Sequence, residues 1–430
     1  MSSAVPALPT PGWRALATYG GLRMPLALLE LPLFVLLPAF YGQQLGVPLA
    51  VVGGVLFAAR MVDALTDPLI GAGLDRTRHR ITPLRWIILA APLMLAGFVA
   101  MLHPPEVSSA ALALWLALTS ILTYLGWSAV SIAHQAWGAG LAFDDRGRVR
   151  VTGFREAFGL AGVLLSAVLL DPSKVGALSL LFTALLAIAL LALTRAPLPW
   201  VEPAGPRARS PGLWRQMREP LAGDRAFRKL LSVFMLNGTA TALPATLVLF
   251  FVADVLQAPG QAPFFLFLYF VAGAAGMPVW IAVGARIGLR QAWLLGMAAA
   301  VLAFVWAWAL GAGDTTAFAL ICVLSGLALG ADLAMPSALL ARVIASAGRA
   351  GRDEGAYFGL WSLATKLNLA IAAGAGLMLL QALGYRPGSG GPTWALALAY
   401  AALPCLLKLI AAGVLTRLEM NSNGPRENLR

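Results

Sequence analysis

Runs of about 20 apolar residues recur from one end of this chain to the other, parted by short polar or Pro/Gly-rich breaks. Such a run makes a helix long enough to cross roughly 30 Å of hydrocarbon, where every backbone amide and carbonyl has to be satisfied internally. A soluble core is not built this way. The composition agrees: of 430 residues 60% are hydrophobic and only 12% charged, with a mean hydropathy of +0.80. The chain reads as an all-α integral membrane protein.

Twelve spans can be placed, near 16–41, 48–70, 84–102, 110–136, 154–170, 176–194, 230–252, 263–284, 291–310, 316–336, 357–380 and 394–415. The longest internal break is rich in Pro, Arg and Gly and contains "SPGLWRQMREPLAGDRAFRKLL", which predicts an amphipathic helix suited to an anionic membrane surface. It divides the chain into a six-helix bundle (1–194), a linker (195–229), a second six-helix bundle (230–417) and a tail (418–430). The loop after the second span, "GAGLDRTRHR", is echoed after the eighth by "GARIGLRQ", so the halves read as parallel pseudo-repeats of the major facilitator architecture. Many of the 44 glycines fall within spans and suit close helix packing in lipid.

The net charge of +12 raises the question of an acidic partner, which the placement of the basic residues answers. Most Lys and Arg fall in alternate loops and tails, with only Lys174 and Arg386 in the opposite set. The positive-inside rule explains that asymmetry and places the basic loops and both termini in the cytoplasm of a plasma or bacterial inner membrane. No nucleic-acid partner is expected. The first 21 residues hold no compact signal peptide, so the first long apolar segment is expected to remain as a helix. Cys322 and Cys405 lie far apart in apolar runs and offer neither a disulfide framework nor a metal motif. There is no HExxH, no Gly-x-Ser-x-Gly and no phosphate-cradling Gly-rich loop, and the three histidines are scattered, so neither an enzyme nor an ATP-driven pump is expected. A passive channel or scaffold would tolerate charged spans equally well, but a two-half repeat with an internal acid pair suits alternating access better.

Against this oily background the second span reads "FAARMVDALTDPLIGAGLDRTRHR". Arg60, Asp63 and Asp67, at offsets of three and seven, share one helix face. Ionisable groups inside a span are costly and usually mark a protein-lined cavity, and two carboxylates on one stripe can hold a proton or a hard cation. Crowding them raises the pKa of at least one. Arg60 can also simply neutralise an acid and lock two helices. Asp75 in the following loop can pair with Arg or cap a neighbouring helix, and Arg78 and Arg80 can anchor the turn at the lipid surface.

"GAGLDRTRHR" resembles the signature loop of the major facilitator superfamily, which gates the cytoplasmic side and implies conformational roles for Asp75 and Arg76, with Arg60 grouped among the gating residues. "RMVDALTDPLIGAGLDRTRHR" is similar to the second helix of the glycoside-pentoside-hexuronide cation symporters, with its Arg-x-x-Asp-x-x-x-Asp-Pro motif. "FDDRGRVRVTGFREAFG" resembles that family's acidic-basic loop leading to a fifth-helix Arg, and "YFGLWSLATKLN" its eleventh helix with an embedded Lys. The resemblance implies a cation site at Asp63 and Asp67, open to Na⁺ or H⁺, with Lys366 beside it competing with or replacing the cation. It implies that Arg155 faces the substrate and that Trp361, Ser362 and Thr365 line the same cavity. Trp127, Trp137 and Trp361 are candidate platforms for a sugar ring, with Gln135 or His134 supplying hydrogen bonds.

Three departures shape what is expected. The family's fourth-helix acid falls on Ser131, counting back from Asp144, and the lost carboxylate favours proton over sodium coupling. The first-helix sugar-binding acid is missing near Ala27; Glu30 is open to a substituting role, a second protonation site, or a neutral side chain beside a Pro32 kink. A tenth-helix acid is replaced by Arg342, while Asp332 remains further up that span. The expectation is a monomeric, cation-coupled symporter of a small polar solute such as a sugar or glycoside, with no resident cofactor. An amphiphile such as a lysophospholipid, or an uncoupled or exporting facilitator, is the alternative.

Overall fold

The computed structural model describes residues 11–30, 32–37, 40–169, 174–200, 213–385 and 393–417. Arg386, the middle of the expected linker and the tail from 418 lie outside the described residues.

Among the described residues, eight helices are long and apolar enough to cross a membrane. They include α4 (Pro83–Leu102), α5 (Ser109–Ala139), α7 (Val175–Leu193), α10 (Ala262–Ile287), α11 (Leu289–Phe304) and α12 (Thr315–Ser346). The spans that carry charge are α3 (Leu49–Thr77), α6 (Asp145–Val168) and α13 (Glu354–Ala382). The first span is broken into α1 (Trp13–Gly20), α2 (Arg23–Leu28) and two widened π-helical turns, Pro32–Leu36 and Phe40–Gln44. The seventh continues from α9 (Arg225–Phe250) into another such turn, Phe251–Val255, and the twelfth runs through α14 (Thr393–Ala397), a π-helical turn Leu398–Ala402 and α15 (Leu403–Thr416).

Two local features differ from the sequence reading. "FDDRGRVRVTGFREAFG", read as a loop before a span at 154, is helical from Asp145, because the Asp144 side chain accepts from the Gly147 amide at 3.2 Å and caps the helix. The linker segment does form a helix, α8 (Leu213–Gly223), but it packs on α3, α9 and α13, and Glu219 pairs with Arg349 at 2.5 Å. Its Arg215 and Arg218 remain exposed. The echo of the signature loop is a single residue, Gly288 at φ +89°, a conformation that favours glycine and turns α10 directly into α11.

The two halves meet along α3 against α13 and along α6 against α10 and α12. Glycines make the first crossing close: a Cβ on Gly71 would lie 2.0 Å from the Gly355 carbonyl oxygen, and one on Gly359 2.6 Å from that of Asp67. The hydrogen bonds and ion pairs joining the halves gather between the level of Lys366 and the end that carries the basic loops. Asp75 accepts from the amides of Gly355 (2.8 Å) and Ala356 (2.6 Å), Arg342 pairs with Asp145 (2.7 Å), and Arg146 Nε donates to the Ala285 carbonyl (3.0 Å). Arg342, the cation standing where an acid was looked for, is therefore a strut between the halves.

Candidate functional site

Asp63 and Asp67 lie one turn apart on the same face of α3, 3% and 0% exposed, and α13 lays Lys366 directly against them. The Lys366 ammonium is 2.5 Å from Asp63 Oδ2 and 2.7 Å from Asp67 Oδ2. It also donates to Ser128 Oγ on α5 at 2.9 Å, and Ser128 donates in turn to Asp63 Oδ1 at 2.6 Å. The Trp127 ring completes the enclosure, 5.7 Å from Lys366 Nζ. Three helices from both halves thus converge on two carboxylates and one ammonium, leaving one net negative charge out of water. Such a group is stable only while its charges remain paired.

The fourth-helix hydroxyl at this site is Ser128; Ser131, where counting from Asp144 placed it, is buried with its Oγ unpaired among the described residues. Positions three apart share a helix face, so counting finds the face, but the depth at which α5 sits against α3 is set by packing. On α13, Ser362 lies beside Asp67, while Thr365 donates to its own helix at the Trp361 carbonyl (3.0 Å). Trp361 stacks on Phe234 with ring centroids 3.8 Å apart. Arg60, grouped above with the gating residues, lies on the turn of α3 before Asp63, towards the opposite end from Asp75, with its guanidinium 5.6 Å from the Tyr124 ring.

Arg155 lies outside this cluster. It donates to Glu156 Oε1 through Nε (2.9 Å) and Nη2 (2.6 Å), and to Ser337 Oγ across the halves (3.2 Å). Glu156 also faces Arg23 Nε at 3.6 Å, and Arg23 Nη1 donates to Glu30 at 2.8 Å. Gln135 and Arg155 line one small cavity. Arg23 is the member of this second cluster that the sequence reading missed; its spacing of seven from Glu30 puts both on one helix face and was the available signal. Glu30, partly exposed, is thus an ion-paired acid and not a neutral one beside Pro32. Trp137, offered as a ring platform, is fully buried and donates to the Pro197 carbonyl at 2.9 Å, and His134 meets the Tyr19 carbonyl at 2.9 Å. Both are packing residues.

At the basic end, ahead of the apolar stretch of α13, burial pushes the Glu354 carboxyl up to about 7. Burial, then the nearby Glu354, raises Asp75 well above the usual carboxylate range against the pull of the Ala356 and Gly355 amides. Arg78 stands 3.9 Å from Glu354, and Arg76 is exposed on the last turn of α3.

The whole arrangement, residues 18–422, matches the model of the family described as MFS/sugar transport protein. This chain belongs to that family. It is a multi-pass membrane protein of the major facilitator fold, in the glycoside-pentoside-hexuronide branch that its motifs resemble. Among curated relatives it is 32% identical over 136 residues to the inner membrane symporter YicJ of Escherichia coli K12, a stretch covering 31% of this chain and 29% of that protein. It is 29% identical over 131 residues to the putative glycoside/cation symporter YagG of the same organism, covering 30% and 28%. The matched stretch therefore spans less than a third of either relative. Two solved structures share the fold over 94% of this chain and 98% of theirs: a bacterial homologue of the iron transporter ferroportin in an outward-facing state (TM-score 0.71, 17% identity) and the transporter FucP in an outward conformation (TM-score 0.70, 14% identity).

Proposed function

We propose that this protein carries a small polar solute, such as a sugar or glycoside, by alternating access in symport with a cation, the proton favoured over sodium. The observation that carries the reading is the single ammonium of Lys366 held between Asp63 and Asp67. Two carboxylates and one ammonium sum to minus one, so one added proton or monovalent cation neutralises the cluster. Neutralisation loosens Lys366 from the acids, and because Lys366 belongs to the second half while both acids belong to the first, loading the site alters what joins the halves. A bound cation can bias the equilibrium only through different affinities for the two conformations, and this cross-half pairing supplies that difference. Sodium would want several oxygen ligands. Beyond the two carboxylates the site offers two hydroxyls, Ser128, already committed to Asp63 and Lys366, and Ser362 beside Asp67, a sparse set for sodium that supports the proton.

The halves taken to move are 1–194 and 230–417, joined by the linker 195–229, with basic loops and termini on the cytoplasmic side and the protein acting as a monomer. Closure of the basic end then makes this the outward-facing conformation. Arg155 and Gln135, which line one small cavity, and Arg23, Glu30 and Glu156 beside it are the candidate solute contacts, with Trp127 offering a ring face and Trp361, stacked on Phe234, only its edge.

The test uses purified protein in proteoliposomes, with glycosides, pentosides, hexuronides and lysolipids offered under separate proton and sodium gradients. Uptake of a glycoside-class solute driven by the proton gradient, and lost in Asp67→Asn, is the expected result. Accumulation unchanged in that variant overturns the coupling role of the acid pair, and uptake confined to lysolipids overturns the solute class.

A further inference from the structure

We infer that the second half holds a separate binding site for a small neutral molecule that carries a ring and one hydrogen-bonding group. The site is a cavity of about 110 Å³ inside the bundle of α9, α10, α11, α12 and α15. All the residues lining it follow residue 230, so it is distinct from the Asp63–Asp67–Lys366 cluster, which the two halves build together.

Its floor is a closed polar network. Lys408 Nζ lies 2.5 Å from Asp332 Oδ2 and donates to Asn237 Oδ1 (2.8 Å) and Thr241 Oγ1 (3.2 Å). Asp332 Oδ1 accepts from Asn237 Nδ2 (3.0 Å) and Trp293 Nε1 (2.9 Å). The pair is net neutral and all three ammonium protons are engaged, so an ionic ligand would have to break a buried ion pair to gain a counter-charge. A charged occupant is thereby disfavoured.

The walls are aromatic, and Tyr269 and Tyr400 are the tyrosines among them. Tyr400 is 3% exposed, its ring stacked on Phe251 at 4.1 Å and packed near Phe304, while its hydroxyl meets no hydrogen-bonding partner among the described residues. The Tyr400 side chain lines the cavity, so a ligand's polar group can reach its hydroxyl there. Tyr400 sits in the π-helical turn Leu398–Ala402, the kind of backbone widening that recurs at functional sites. The volume is of the order of the roughly 150 Å³ apolar cavity known to bind benzene. A phenol-like molecule matches size, aromatic walls and the hydroxyls that Tyr269 and Tyr400 bring to the lining, whereas a lipid acyl chain is too long and satisfies no hydroxyl.

Alternating access opens and closes the space between the halves, so an occupant held within one half is not cargo. This ligand would ride with the second half and modulate its rigidity. The site stands whether or not the coupling proposal holds.

Its test follows 4-fluorophenol and fluorobenzene by ¹⁹F NMR with the full chain in nanodiscs, against empty nanodiscs to subtract partition into lipid. Saturable, protein-dependent binding of 4-fluorophenol is expected, weakened about five- to tenfold in Tyr400→Phe, which keeps the ring and removes the hydroxyl. Binding should be abolished in Ala300→Phe, which fills the cavity, and unchanged in Asp67→Asn. Fluorobenzene binding as tightly as 4-fluorophenol, equal affinity in Tyr400→Phe, displacement of a co-purified lipid from the cavity, or no saturable signal would each overturn the inference.

Discussion

Gly71→Ala should open the basic end of the protein, and the structure says by how much. Its added Cβ would stand 2.0 Å from the Gly355 carbonyl oxygen, 2.7 Å from the Gly355 carbonyl carbon and 3.2 Å from Gly359 Cα, all backbone atoms of α13 that no side-chain rotation can move. Ordinary van der Waals contact begins near 3.4 Å. α3 and α13 therefore have to part by more than 1 Å at this crossing, and overpacking of that kind costs about 1–3 kcal/mol. The cost falls on the conformation in which these helices touch, so its population relative to the open one drops about five- to 150-fold, at tenfold per 1.4 kcal/mol. Gly73→Ala, two residues on in the same helix, is the control: the nearest atom to its Cβ is a ring carbon of Trp86 at 4.0 Å. Both substitutions raise helix propensity by up to about 1 kcal/mol, equally in either conformation, so only the crossing distinguishes them. Spin labels at exposed His79 and Ala347, one in each half, report the separation by pulsed electron resonance in nanodiscs. A longer distance in Gly71→Ala but not Gly73→Ala is expected. Identical distributions in wild type and both variants would refute the claim that this glycine contact holds the end shut.

Two further outcomes follow from the same contacts. Ser128→Ala removes a hydroxyl that bonds both Asp63 and Lys366, so the concentration of coupling ion needed for half-maximal uptake should shift about tenfold, while Ser131→Ala, whose hydroxyl has no partner among the described residues, should leave it within about twofold. The basic end should also respond to pH. Glu354 is raised from 4.5 to about 7 by burial, so closure binds its proton more tightly than the open, hydrated state does. Its contribution is fully present below pH about 4.5 and is lost as pH rises through about 7, worth roughly 3 kcal/mol if opening hydrates the group completely. The same spin-label pair should show more of the open form at pH 8 than at pH 5, with the difference reduced in Glu354→Gln.

The number of spans, the two-half repeat and the acid pair with its lysine were all legible in the sequence. Each depends on a property carried along the chain: hydropathy over a helix length, spacing of three and four on a helix face, and the cost of a charge in hydrocarbon. Asp63 and Asp67 announce themselves because nothing else in that span is ionised below Arg60. What spacing could not supply was depth. Whether Ser128 or Ser131 meets Asp63 depends on how far α5 slides along α3, which only the packing of both helices decides. Arg342, conspicuous as a departure from the family pattern, became intelligible once α12 placed it against Asp145, and Arg155, expected to face the substrate, meets Glu156 and Ser337. The Asp332–Lys408 pair and the cavity above it join residues 76 positions apart with others from three more helices, so no local pattern marks them. Sequence determined which residues had to escape lipid; tertiary packing decided which partner each one escaped to, because a buried charge is stabilised by whatever neighbour the fold brings within about 3 Å and not by its neighbours in the chain.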